Sequence, residues 1–177
     1  MGKGENPRMT FEIGDKVVYP NQGVGTIENI SSRSFGTQFE KFYLLRLVYS
    51  SMTVMVPFSN VETIGLRKVT RNAEITRVLV FLSCGNCRSH SDWKSRFKEN
   101  SEKMISGSLL SVAEVLKSLL LLQMEKPLSF REKKMLDRAR HMLVTEITIA
   151  RRVPEPEAVG ALQKALAKAN LVLPPVL

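Results

Sequence analysis

Near residue 70 the hydrophobic pattern of this 177-residue chain changes period, and that change limits the fold more than any single motif. Before it, short β-prone runs alternate with turn residues; after it, apolar residues recur every three or four positions. The two periods bury different sets of residues, so one stretch cannot serve as both strand and helix. The fold class expected is α+β and multi-domain: a small, bent, barrel-like sheet over residues 9–68, then a compact all-α unit over 72–170. Hydrophobic residues make up 44% of the chain, enough for each half to bury a core of its own.

The pattern predicts five strands. Asp15–Tyr19 ends at Pro20, and Asn21-Gln22-Gly23 turns the chain into Gly23–Ile30. Phe42–Tyr49 is a long β-prone run, Ser50-Ser51 reverses it, and Met52–Pro57 and Val61–Ile64 follow. A sheet this small keeps an open edge, which is a docking place for a strand from a partner. Helices are predicted at Asn72–Leu82, Ser91–Ile105, Ser108–Gln123, Ser129–Arg152 and Glu157–Ala169. Ser111-x-x-Glu114 and Ser129-x-x-Glu132 read as capping boxes. Met135, Ala139, Met142, Leu143, Ile147 and Ala150 share one face of the fourth helix, with Arg131, Lys134, Arg138 and Arg140 largely elsewhere. The tail from Leu171 carries two prolines and is not expected to be helical.

The net charge is +9 and falls more heavily on the helical half: residues 1–72 carry nine Lys/Arg against six Asp/Glu, residues 73–177 seventeen against eleven. An acidic partner is expected, and charge alone does not choose among nucleic acid, membrane surface and acidic protein. The polar start of the chain has no apolar core of a secretory signal, and Leu119–Leu122 is too short to cross a bilayer. A cytoplasmic, nucleoid-associated protein without membrane contact is expected, and nothing demands more than a monomer. Cys84-Gly85-Asn86-Cys87 with His90 offers three ligands for Zn²⁺ where a structural site needs four, so an ordinary loop competes with a zinc-stabilised adaptor. No GxSxG, P-loop or HExxH is present, so neither an enzyme nor a cofactor is expected, and no metal site is assigned.

Trp93 is the sole tryptophan, and it stands in Ser91-Asp92-Trp93-Lys94-Ser95-Arg96-Phe97-Lys98. Tryptophan usually buries a large apolar area. Here cations surround it, which suits a partner that is both anionic and stacked. A ring half-buried at a helix start and packed on the next helix fits the same residues.

Several stretches together resemble the CarD/CdnL family of bacterial transcription regulators. They are Phe11-Glu12-Ile13-Gly14-Asp15-Lys16-Val17-Val18-Tyr19-Pro20-Asn21-Gln22-Gly23, Thr53-Val54-Met55-Val56-Pro57, the Trp93–Lys103 segment, and Leu128-Ser129-x-x-Glu132-Lys133-x-Met135-Leu136-x-x-Ala139-Arg140. They occur in family order over about residues 9–170. The first module also occurs in the transcription-repair coupling factor, but helicase motifs are absent here. The resemblance implies a Tudor-like first domain that docks on the RNA polymerase β subunit, partly by strand pairing. It implies a helical second domain that meets promoter DNA in the minor groove, upstream of the melted −10 region. By position, Trp93 is the wedge, Arg96 and Lys98 are phosphate contacts, and Arg33, Phe35 and Met55 lie at the polymerase face. Met55 departs from the arginine that several relatives carry there, and Cys84 and Cys87 inherit no role. A free-standing nucleic-acid-binding module, acting without polymerase, is the competing expectation.

Overall fold

The structure is a computed structural model, and it describes residues 10–87 and 92–176. Strands β1 (Lys16–Tyr19), β2 (Gly23–Phe35), β3 (Gln38–Leu47), β4 (Thr53–Pro57) and β5 (Arg67–Lys68) form one antiparallel sheet in the order β4-β3-β2-β1-β5. The β1–β2 turn places Asn21 and Gly23 at φ 65° and 91°, a left-handed geometry that asparagine and glycine tolerate best. A bulge between Ile27 and Asn29 bends β2. The core on one face of the sheet holds Val17, Ile27, Tyr43, Leu45, Leu47 and Val56. Tyr43 is its centre: its ring stacks on Phe58 with centroids 4.1 Å apart, and its hydroxyl accepts the Phe11 N–H at 3.0 Å.

The β2–β3 hairpin outruns its neighbours. β1 reaches only Thr26 on β2, and β4 reaches only Phe42 on β3. From Ser32–Phe35 and Gln38–Lys41 the two strands pair with each other alone, which makes a nearly bare two-stranded arm.

One expected strand is a helix. Val61–Ile64 forms a single turn, α1, closed by Gly65 at φ 83°, whose N–H reaches the Val61 carbonyl at 3.0 Å. The β-branched residues suggested a strand, but only Gly65 fits that left-handed closure without strain. The turn drops Val61 and Leu66 into the sheet core. The fifth strand comes instead from Arg67–Lys68, which pairs with β1 and is too short to show any alternation.

The helical half comprises α2 (Asn72–Cys84), α3 (Trp93–Ser106), α4 (Leu109–Glu125), α5 (Phe130–Arg151) and α6 (Glu155–Lys168). Ser129 caps α5 as expected, accepting the Glu132 N–H at 3.2 Å and donating to the Glu132 carboxylate at 2.9 Å. The Ser111 box does not form. Ser108 is the cap of α4, accepting the Ser111 N–H at 3.5 Å, and Ser111 lies inside the helix. Leu116, Leu119, Leu143, Ile147 and Leu162 fill the centre. Lys117 is buried with them, and its ammonium donates to the carbonyls of Phe81 and Gly85 at 3.0 and 2.6 Å, closing the end of α2. Leu171 and Leu173 of the non-helical tail are buried against the same core.

The two halves meet along α5. Arg67 grips buried Glu146 with both terminal nitrogens, at 2.6 and 3.1 Å, and its Nε donates to the Gly107 carbonyl at 2.6 Å. Tyr49 donates to Asp137 at 3.1 Å and packs its ring on His141, 4.5 Å between centroids. Burial holds the His141 imidazole below its ordinary value, against the opposing pull of Glu155 and Asp137. The unfolded chain therefore takes up that proton first. Stability contributed by neutral His141 is present above pH ~6.5 and is lost as pH falls through the lower folded value. A lower urea midpoint at pH 5 than at pH 7.5, with the loss reduced in His141→Gln, is the expected result.

Candidate nucleic-acid interface

The local sequence around Trp93 builds a helix start with its own cap. Asp92 keeps extended geometry and accepts the N–H groups of Lys94 and Ser95 at 3.4 and 3.2 Å, and the Ser95 hydroxyl at 3.0 Å. The hydrogen bonds from Ser95 and Lys94 hold the Asp92 carboxyl below the usual carboxylate range, so its charge stays directed into the helix. Trp93 is the first residue of α3 and is 57% exposed. It is not sealed in the bundle. The Lys94 ammonium stands 5.9 Å from the ring centroid, and Lys98, one turn on, is exposed.

Arg96, expected as a phosphate contact, is placed differently from Lys94 and Lys98. It is 5% exposed, and its Nη2 lies 3.8 Å from the Glu132 carboxylate on α5. The reason is helical spacing: Arg96, Asn100 and Met104 recur every fourth residue and form the face that α3 turns inward. Local sequence shows three cations side by side, and only the packing shows that one of them points in.

On the sheet, ladder register puts Arg33, Phe35 and Met55 on a common face. Arg33 lies opposite Glu40, Phe35 opposite Gln38, and Met55 opposite Leu44, and those three β3 positions share one parity. They are not a compact cluster, because six residues of β3 separate the Phe35 and Met55 levels, roughly 20 Å. Arg33 and Phe35 ride on the bare arm, Phe35 at 59% exposure, and Met55 sits on the edge strand. Trp93 and Lys98 belong to the other half of the molecule. Sequence reasoning passed over two exposed aromatics. Phe39 extends from the opposite face of the arm, and Phe130 opens α5 with the Lys134 ammonium 4.6 Å from its ring centroid. The clue available was its setting, an aromatic residue directly before the charged run Arg131-Glu132-Lys133-Lys134.

The CxxC pair falls at the end of α2. Cys84 is exposed and its thiol donates to the Val80 carbonyl at 3.2 Å, while burial pushes the half-buried Cys87 thiol up, away from the thiolate a metal needs. His90 lies outside the described residues. Among the described residues no group of three or more His, Cys, Asp or Glu could hold a metal ion, and no helix is long and apolar enough to cross a membrane.

Both halves match established family models. The CarD-like/TRCF RID domain covers residues 11–70, and the CarD C-terminal domain covers residues 77–163. The protein YdeB of Bacillus subtilis (strain 168), whose name assigns it provisionally to the transcription factors, is 34% identical over 147 residues, which is 83% of this chain and 96% of YdeB. The solved structure of CdnLNt from Myxococcus xanthus is 36% identical and aligns with 37% of this chain and 93% of its own, at a TM-score of 0.30.

Proposed function

The chain belongs to the CarD/CdnL family of transcription factors, and from that footing we propose that it docks on the RNA polymerase β subunit and stabilises the promoter open complex by wedging Trp93 at the upstream edge of the bubble. The observation that carries the reading is the exposed indole at a capped helix start, beside Lys94 and Lys98. Wedging a side chain into intact duplex costs a few kcal/mol of unstacking. At the bubble edge polymerase has already opened the step, and a base stacked on the ring contributes about 1–3 kcal/mol. The protein therefore favours the open complex over the closed one, and differential affinity is what shifts a population. Lys98 and Lys94 supply the phosphate contacts in the minor groove. Arg96 acts as a positioning residue, holding the start of α3 against α5 through Glu132.

The sheet supplies the tether. β4 pairs only with β3 among the described residues, so its outer edge is open to a strand from the β subunit. Arg33 and Phe35 on the arm add side-chain contacts, and Met55 offers an uncharged thioether on the edge strand. Few cations touch phosphate, so affinity for free DNA is weak and salt-sensitive, and tethering to polymerase provides the effective concentration.

The test is the lifetime of open complexes formed with and without this protein on a promoter whose bubble is unstable. A lengthened lifetime is expected; no change overturns the reading, and tight binding to free DNA without polymerase favours an independent nucleic-acid module instead. Arg33→Glu on the arm should weaken capture of the β subunit about tenfold, a loss of about 1.4 kcal/mol. Undiminished capture in a pull-down means the docking face lies elsewhere.

A further inference from the structure

We propose that the groove between α2 and α6 receives an acidic amphipathic helix of a protein partner. The groove stands apart from the end of the bundle that carries Trp93. Arg96, in the opening turn of α3, meets Glu132 in the opening turn of α5, whereas Arg151 is the last residue of α5 and bonds to α2. Positions 132 and 151 are about 28 Å apart along that helix, at about 1.5 Å per residue.

The floor is apolar. From α2 come half-buried Leu79 and Val80, which is 54% exposed, and from α6 come Ala161 and Ala165. The two alanines are four residues apart and fall on one face of α6. Their short side chains do not close over Val80, and a groove of about 330 Å³ is left between the helices. One end is braced. The Arg151 guanidinium donates to the Asn72 side-chain oxygen at 2.8 Å and to the Thr76 hydroxyl at 3.3 Å, so the groove is formed before anything enters it.

The rim is cationic. Lys164 and Lys168 stand exposed on α6 beside the alanines, and Arg151 lies at the end. Among the described residues no carboxylate lines the groove, and neither ammonium forms an ion pair. The acids of α6, Glu155 and Glu157, both belong to its first turn. The two side-chain partners of Arg151 are neutral and leave its charge uncancelled. Like charges four residues apart on a helix repel, and a carboxylate set between Lys164 and Lys168 relieves that repulsion.

Floor and rim together choose the occupant. A phosphate backbone would satisfy the cations but would lay charge against Leu79 and Val80. An acidic segment without apolar residues would leave that floor uncovered. An amphipathic helix answers both: apolar residues at helical spacing enter between α2 and α6, and Asp or Glu on its flanks meets the lysines.

The experiment uses the full chain carrying Val80→p-benzoylphenylalanine, photolysed in its native cells, with the adducts sequenced. Position 80 should crosslink to a protein segment whose apolar residues recur every three or four positions and whose flanks carry Asp or Glu. Lys164→Glu with Lys168→Glu should reduce that crosslink about tenfold with the thermal midpoint unchanged, because both lysines are exposed. Lys164→Arg with Lys168→Arg should retain it. Trp93→Ala should leave it unaltered, which separates this groove from the contact with promoter DNA. A crosslink to DNA, to a second copy of this chain or to a segment without that pattern overturns the proposal. So does the absence of any crosslink, or one that survives the charge reversal undiminished.

Discussion

Trp93→Ala is expected to shorten the half-life of the open complex about tenfold and to leave binding to polymerase intact. The indole is 57% exposed, so its removal opens no cavity and costs the fold little. Its effect is confined to the state in which a base is free to stack. Losing a stack of about 1–3 kcal/mol corresponds to a factor between roughly five and more than one hundred, at about 1.4 kcal/mol per tenfold. The factor expected lies near the lower end, because the ring keeps part of its area against its own helix. Trp93→Phe should fall between wild type and alanine, since a smaller ring stacks less area. The measurement is the decay of competitor-resistant complexes over time, with pull-down on the β subunit as the control. Equal decay for wild type and Trp93→Ala would remove the wedge from the mechanism. Lost pull-down would place Trp93 at the polymerase face instead.

The largest stability loss is expected at Arg67→Met. Arg67 reaches from β5 to α5, where Glu146 is 2% exposed, and it also holds the Gly107 carbonyl that ends α3. With the guanidinium gone, the Glu146 carboxylate keeps the Thr70 N–H at 2.9 Å and no cation. Stranding a buried charge in this way costs about 3–5 kcal/mol. For a chain of this size that is a fall of roughly 6–20 °C in the thermal midpoint, at about 2–4 °C per kcal/mol. Arg67→Met with Glu146→Met together should recover much of the loss, because an apolar pair strands nothing. A single variant as stable as wild type would show that the pair carries no net stability. The same latch sets how the sheet faces the helices. A variant that still docks but no longer fixes Trp93 relative to its tether should retain β-subunit capture and lose part of the lifetime effect.

Much of the secondary structure was legible because its causes are local. Pro20, Asn21 and Gly23 announce the first hairpin, and Ser129 with Glu132 announces α5. Two local expectations gave way to context. Val61–Ile64 has strand-like residues but is closed as a turn by Gly65, and Ser111 has a cap-like partner but Ser108 lies one turn earlier with the same chemistry. The placement of the site residues was less legible. The strand pattern shows a β2–β3 pair but not that it outruns both neighbours, since the ends of a ladder depend on where other strands stop.

The sequence by itself determined the two periods, the helix starts and the crowd of cations around a lone tryptophan, because each follows from residues within a few positions of one another. Only the tertiary structure decided that Arg96 turns inward to Glu132 and that Arg67 locks the sheet to α5. Those outcomes depend on groups 36 to 79 positions apart, and no local rule of spacing or propensity reaches across such a gap.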